Sequence, residues 1–594
     1  MPIARHLRSN LQAAGIDAQL RFIDVTRLSR QVLLNHDFDI YIGQFPYARP
    51  PDPDALYPMF RSTFAAELGW QNPFGFTHLT CDDFLDAQRL SGGEQRQQEV
   101  DDLQQLLART QPFVPLVFPD VQTGVRTDRF TNWNPDGRDP ARGGPTQPHN
   151  LLQLERVDGE PGALRLAVGN ERITSNRNPI SAAYQQQASL LDLVYDSITL
   201  DTGSEHIPWI ARDMTWIDDE GPLQVEIRLR DGLQWHDGEQ LSAYDVGFTY
   251  EFLRDTSLGN AIRPIPSERF RGRISLVADV TVQNSRELSL TFTDTTQPVA
   301  QRALTVPVLP AHIWRDRTTV RRPSNRAGQT TTALTSNNTA TIGSGPLQFE
   351  EANGDIVEFS RFDPHFLWPS LPAPPTDGGN ETRTGNRSNG LNESGFSQNR
   401  TEGSTDNSSP TANETAPTVG EPLEPPLEEF SGVPAFETVT VQAVGSDATA
   451  VELLTSGDVD ATVARLSPEV VTSIEDNQET ERIEHRSNAF YHLGFNTRRQ
   501  PLRNPNVRRL IAQLVDKSWL VETGFGGNGV PAASPLAETE WLADSLQWDA
   551  ETGVDPEVPY MGTDGELDVE AVRSRFRDIG YQYNNDNELI SQIR

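Results

Sequence analysis

Two residue types are almost missing from these 594 residues: Cys81 is the one cysteine, and Lys517 is the one lysine among 50 basic residues. A single thiol excludes an internal disulfide and any cysteine cluster around a metal. No apolar run approaches the roughly 18 residues that a membrane-spanning helix needs. The opening MPIARHLRSNLQAAGID has no long apolar core and no small-residue cleavage site, so it does not read as a secretory leader. Positive charge is also scarce, with a formal net charge of -34 and a pI near 4.6. Without a basic stripe to replace counterions, nucleic acid is excluded as a partner. So acidic a chain repels itself in dilute salt; at about 1 M salt the Debye length shrinks to roughly 3 Å and most of that penalty disappears. Acid excess with lysine depletion predicts a halophilic, archaeal protein. Catalytic signatures are missing too. There is no G-x-S-x-G elbow, no H-E-x-x-H and no phosphate-cradling glycine loop, and the ten histidines fall without ligand spacing. No cofactor, no metal site and no enzyme activity is expected.

What is present is an alternation of helix-like and strand-like segments, which predicts an α/β fold. Ile3, Leu7, Leu11 and Ala14 share one helical face, and Gly15 ends that helix. Residues 18–24 (AQLRFID) alternate as a strand, 27–35 suit a helix, and 37–45 (DFDIYIGQF) read as a short buried strand. Residues 97–109 are an amphipathic helix, 115–120 a strand, and 138–150 a loop. From Leu164 a new register begins, with strands at 164–169, 225–235, 287–294, 437–445 and 489–496. Helices are expected at about 182–195, after Ser242, and at 447–456. Between 370 and 430 lies a tract of Pro, Gly, Ser, Thr and Asn with almost no aliphatic pattern, which predicts disorder. It holds N-x-S/T sequons at Asn380, Asn386, Asn392, Asn399, Asn407 and Asn413, and Asn337 begins another upstream. Six acceptors in one exposed tract point to a glycosylated extracellular protein.

The stretch VEIRLRDGLQWHDGEQLSAYDVGFTYEFLR (225–254) resembles the signature region of the extracellular solute-binding proteins of family 5, the dipeptide, oligopeptide and nickel binders of ABC importers. LPAHIW (309–314), GSGPLQF (343–349), SGDVDA (456–461), FNTRRQPLRNPNVRRLIAQLVDK (495–517) and GFGGNGVPAASPL (524–536) follow in that family's order. Residues 1–157 resemble the family's C-terminal portion, so the two pieces stand in reversed order. Three origins stay open: a tandem fragment, a circular permutant or a damaged gene. The resemblance implies a bilobed, type II periplasmic-binding-protein-like fold. The expected units are 1–157 (the C-terminal portion), 164–369 (the N-terminal lobe and the start of the second), 370–430 (the insertion) and 431–594 (the rest of the second lobe). Within these, 164–305 with 118–157 would form lobe one, and 306–594 with 1–117 lobe two. Residues 1–157 would dock onto the remainder and complete the fold. The implied function is capture of a small-molecule or peptide ligand outside the cell and its delivery to a membrane permease, by a monomer held at the membrane only through that transporter. A non-transport surface glycoprotein is the alternative, and a hydrolase a distant third.

The candidate ligand-binding residues follow from the same resemblance. In GQFPYARPPDPD (43–54) the family carries an acidic residue three positions before D-P-D, where this chain has Arg49. Arginine there suits a carboxylate or phosphate. Asp52 is a second candidate, with a cap or turn as its structural reading. Phe45 and Tyr47 are candidate stacking groups, with core packing as the alternative. Arg172 and Asn176 follow the first strand of the new register, and Phe495 and Asn496 end a strand that faces the cleft in the family. The neighbours His236 and Asp237 look like an acid–base pair, but adjacent residues on a strand-turn point to opposite faces.

Overall fold

The computed structural model describes residues 2–45, 51–133, 144–169, 172–182, 190–203, 205–218, 221–324, 328–368, 425–430, 434–463 and 465–590. The chain opens with helix α1 (Pro2–Ala13), whose Ile3, Leu7 and Leu11 are buried one above another, and Gly15 in the left-handed region (φ +88°) ends it. Residues 16–24 then join no sheet. The strand expected there does not form, because alternation supplies a face but not the neighbour that a ladder requires.

In chain order the strands of the two main sheets are β1 (Ile40–Gln44), β2 (Phe113–Arg126), β3 (Gly162–Val168), β4 (Ala211–Ile217), β5 (Gln224–Leu229), β6 (Val277–Val282) and β7 (Glu287–Phe292). They continue with β8 (Leu347–Asn353), β9 (Ile356–Arg361), β10 (Phe436–Ala443), β11 (Ala461–Thr462), β12 (Thr480–Arg486), β13 (Tyr491–Phe495) and β14 (Gly529–Pro531). The larger sheet has the order β1-β13-β2-β11-β3-β10-β9-β8, with β12 and β14 also pairing with β2. β3 runs parallel to β10 and β11, and the other pairings are antiparallel. The second sheet is antiparallel, with the order β6-β7-β5-β4.

β2 is longer than the 115–120 expected from the sequence. Asp120, Gln122, Thr123 and Gly124 look like loop residues, yet Gln122 and Thr123 are buried. At Gly124 a methyl group would stand 2.4 Å from Leu454, so only glycine lets the helix Asp447–Ser456 press on the strand. β2 also threads the cores together. Val114, Leu116 and Val117 lie in a cluster with Ile3, Leu7, Leu493 and Val507, while Phe113 and Phe118 join a second cluster with Phe60 and Phe74. Val125 belongs to a third and larger cluster built on Leu166, Trp209, Trp235 and Trp314. Residues 1–157 are therefore woven into the fold: β1 pairs with β13 (Ile42↔Leu493), and β2 pairs with four strands from beyond residue 460.

Two boundaries fall elsewhere than expected. Leu347, Val357, Phe359 and Val439 pack in the large core with Leu164 and Val225, because β10 lies parallel beside β3; the described residues between 306 and 368 thus side with the first lobe. Leu427 and Phe430 are buried in the same core, so the last residues of the 370–430 tract are ordered. The six sequons from Asn380 to Asn413 lie outside the described residues. Asn337 is described and exposed.

The helix after Ser242 forms as its sequence dictates. Its range is Ala243–Arg254, and Asp245 accepts from the Ser242 backbone N–H (2.9 Å) and hydroxyl (3.0 Å), a reciprocal N-terminal cap. Among the described residues no helix is long and apolar enough to cross a membrane.

Candidate functional site

The lobes meet along a polar seam. From one side comes the segment after β1, where Asp52 caps a short 3-10 turn by accepting from the Asp54 N–H at 2.8 Å. From the other come the turn Arg271–Ile274 and the stretch 296–305. Gly272 makes the approach possible, since a methyl there would stand 2.7 Å from the Pro58 ring. Backbone and side-chain bonds then stitch the two sides. The Trp70 N–H donates to Glu268 O (3.0 Å), its indole donates to Ala182 O (2.8 Å), and the Gln71 amide donates to Ser267 O (2.9 Å). Arg271 pairs with Glu67 at 3.2 Å.

Asp54 is at the centre of this seam and is wholly buried. Its carboxylate accepts from Gln88 Nε2 (3.1 Å) and from Arg89 Nε (2.5 Å) on its own side, and from Arg302 Nη1 across the seam. A buried carboxylate is tolerated only with such partners. Arg89 also lies 3.2 Å above the Tyr57 ring. Arg273 is half-buried beside Arg302, and its Nη1 donates to Thr305 Oγ1 (2.8 Å) and O (3.4 Å). Burial, together with the charges of Arg302 and Arg269, pushes its pKa down to about 10, while Asp201 and Asp192 oppose the shift. The His206 pKa is lowered by burial, against the pull of Asp201, and its Nδ1 has no hydrogen-bond partner among the described residues.

The candidates from the sequence divide into three groups. Tyr47 and Arg49 lie outside the described residues. Phe45, Phe495 and Asn496 are buried. Phe45 stacks on Phe490 at 5.0 Å. Asn496 ties the loop before β1 by donating to His36 O (3.1 Å) and Phe38 O (2.9 Å). These three supply packing rather than an open surface. Asp52 is at the seam but paired with Arg96 at 2.7 Å. Arg172 and Asn176 belong to a segment that reaches the seam through Pro179 O, which accepts from Arg269 (2.7 Å), and through Ala182; Asn176 itself closes a turn onto the Asn178 N–H. Asp54, Arg89, Arg273 and Arg302 were not foreseen. Arginines some 200 residues apart carry no local signal of sharing one site.

His236 and Asp237 do not form a pair. Both imidazole nitrogens of His236 are occupied by the GSGPLQF segment, Nδ1 accepting from the Gly343 N–H (3.2 Å) and Nε2 meeting Gly345 O (2.9 Å). Burial lowers its pKa to about 4. Asp237 faces His312 instead, at 2.8 Å. The motif is a structural clamp between two stretches more than 100 residues apart. Among the described residues no three His, Cys, Asp or Glu side chains gather as they would around a metal ion.

The sequence profile of the bacterial extracellular solute-binding proteins, family 5 (middle region), matches residues 205–591. No curated protein sequence matches the chain. Among solved structures, NikZ from Campylobacter jejuni with Ni(L-His) is similar at 16% identity over 72% of this chain and 65% of that one, with a TM-score of 0.44. The oligopeptide-binding protein AppA from Bacillus subtilis with a nonapeptide gives 15%, 72%, 66% and 0.43. The oligopeptide-binding protein from Thermotoga maritima with mannohexaose gives 17%, 71%, 63% and 0.42. The chain spans slightly less than two thirds of the length of each.

Proposed function

The chain belongs to the bacterial extracellular solute-binding proteins of family 5, and from that premise we propose that it captures a small polar or peptide-like solute between its lobes and passes it to the permease of an ABC importer. The observation that carries this reading is the seam. Charged and amide side chains gather around Asp54 where the two sides meet, and a closable polar cleft is what reversible capture requires. β2 threads three apolar clusters and so supplies a connection about which the lobes would move. Tyr47, Arg49, Arg172 and Asn176 remain the ligand candidates, with the buried Phe45, Phe495 and Asn496 and the Arg96-paired Asp52 set aside.

The setting we propose is extracellular and hypersaline. The charge of -34 with one lysine supports the salt requirement, and the exposed Asn337 supports the glycoprotein reading. We read the reversed order of the two pieces as a permutation or the joint of a tandem, and the weaving of residues 1–157 through the larger sheet supports a single working unit.

A thermal-shift screen at about 1 M salt or above tests this, using peptides, sugars, amino acids and metal chelates. A ligand at about 100 times its dissociation constant should stabilise the fold by roughly 2.7 kcal/mol. A cooperative transition that no solute class shifts would overturn the transport reading.

A further inference from the structure

Asparagine is followed by glycine at Asn353, Asn389 and Asn528. Asn389-Gly390 lies outside the described residues, and the fold treats the other two in opposite ways. Asn353-Gly354 is at the tip of the β8–β9 hairpin, where Asn353 pairs with Ile356 and leaves Gly354 and Asp355 as a two-residue loop. The hairpin stands at the outer end of the larger sheet, since β8 is its last strand. Every residue from Glu350 to Ile356 is exposed. Gly354 takes a left-handed backbone (φ +59°), and a methyl group placed on it would meet nothing within 4 Å. Among the described residues the Asn353 side-chain amide and the Gly354 N–H have no hydrogen-bond partner.

Asn528-Gly529 carries the same two residues in a closed setting. The Asn528 amide nitrogen donates to Phe525 O (3.1 Å) and Gly526 O (3.2 Å), and its oxygen accepts from Gln122 Nε2 (3.0 Å). The Gly529 N–H donates to Gly527 O at 3.2 Å. Gly529 begins β14 opposite Pro119 of β2, and a methyl group on it would stand 2.8 Å from Phe118 O. Both groups that would have to react are engaged there, and strand pairing pins the backbone between them.

We propose that Asn353-Gly354 is a site of spontaneous covalent modification, in which Asn353 loses its side-chain nitrogen and becomes isoaspartate or aspartate. The Gly354 nitrogen attacks Asn353 Cγ. The N–Cγ bond forms, the Cγ–Nδ2 bond breaks, and ammonia leaves, its third hydrogen balancing the one lost from the Gly354 nitrogen. Water then opens the five-membered succinimide. Attack at the Asn353 main-chain carbonyl leaves isoaspartate, with the chain running through Cγ, and attack at Cγ leaves aspartate. No electrons are transferred, and water is the one co-reactant. Glycine suits the first step because it has no Cβ to shield its nitrogen and its backbone is free to swing that nitrogen toward Cγ. Exposed tips are also where the local opening that this swing needs is easiest. Either product adds a negative charge two residues from Glu351, which already faces Glu358 across the hairpin, and like charges so placed oppose pairing. Isoaspartate further lengthens the backbone by one methylene where Asn353 pairs with Ile356. The damage stays at the tip, because Val357 and Phe359 further along β9 are buried in the large core.

The experiment holds the full chain in mildly alkaline buffer at about 1 M salt, where surface charges are screened. Proteolytic peptides are followed by mass spectrometry with electron-transfer fragmentation, which separates isoaspartate from aspartate. The expected result is a mass gain of one unit at Asn353 that builds up with time, with isoaspartate among the products, about tenfold or more faster than at Asn528. In urea, where the fold holds neither dipeptide, the two rates should converge. The rate at Asn353 should also rise with pH, because a base must take the Gly354 proton. Equal rates at the two sites in the native chain would overturn the assignment. So would an Asn353 that keeps its amide in the folded chain while converting in urea.

Discussion

The two sheets are built in opposite ways. The smaller sheet, β6-β7-β5-β4, uses residues 211–292 alone, so each strand meets a neighbour within some 70 residues. The larger sheet pairs Ile42 with Leu493, Phe118 with Val530 and Leu166 with Ala461. Both contain alternating or apolar runs of similar length. The difference is in what the runs need: the smaller sheet joins two local hairpins through β5 and β7, whereas the larger sheet exists only when stretches hundreds of residues apart arrive together. Loop-closure entropy grows slowly with length, so equilibrium stability tolerates such weaving, and the cost falls on folding rate.

The largest expected effect sharpens that contrast. Phe113 sits on β2 against Phe45, Phe60 and Phe74, with ring centroids 5.1–5.9 Å away. Phe113→Ala should cost about 3–5 kcal/mol, measured by urea unfolding at high salt. Hydrogen exchange should accelerate in β1, β12 and β13 together, and less in β4 to β7. Equal acceleration in the smaller sheet would show that the two sheets unfold as one unit and would break the comparison.

Close behind comes the one lysine. Lys517 is 3% exposed and donates to Asp555 and to Ala532 O, at 2.6 and 2.7 Å. Removing one member of a buried pair leaves an uncompensated charge, so Lys517→Met should cost about 3–5 kcal/mol, and adding Asp555→Leu should recover much of it. The pH dependence has a definite sign. Burial alone would raise the Asp555 pKa, but Lys517 and the Val558 and Glu557 N–H groups outweigh it and hold the folded value below the ordinary one. The contribution of this carboxylate is therefore present above about pH 4 and is lost as pH falls through the lower folded value. A chain carrying both Lys517→Met and Asp555→Leu should lose that acid sensitivity, which pH-dependent urea midpoints would show.

Smaller effects belong to the seam. Gly272→Val should wedge against Pro58 and cost about 1–3 kcal/mol, with a larger radius of gyration in small-angle scattering; an unchanged radius would mean that the seam yields without opening. Ile262, 97% exposed, sets the floor: Ile262→Asp should move stability by no more than about 0.5 kcal/mol.

The sequence made the local half of this molecule readable. The spacing of Ile3, Leu7 and Leu11, the Ser242 cap and the helix 447–456 were all recoverable, because each depends on residues within a few turns of one another. The strand at 18–24 was misplaced for the complementary reason: its pattern is sound, but no partner lies beside it. β2 was truncated because its second half is polar and becomes strand through pairing with β12. At the site, Asp52 was found through its turn chemistry and Phe45 through its position after a strand, yet neither presents a free ligand-facing group. Arg273, Arg302 and Asp54 are ordinary residues in sequence, and only the approach of the lobes at Gly272 makes them neighbours.

The placement of Lys517 also decides how the protein can be handled covalently. With its one side-chain amine enclosed, succinimidyl esters, aldehydes and lysine-directed cross-linkers find no ε-amino group on the native surface. Cys81 is buried as well, so maleimides fare no better. Dyes, surfaces and affinity tags attach instead through the α-amine, carboxylates, arginines or an engineered residue, and any ε-amine labelling that does appear would report on opening of the structure around Asp555.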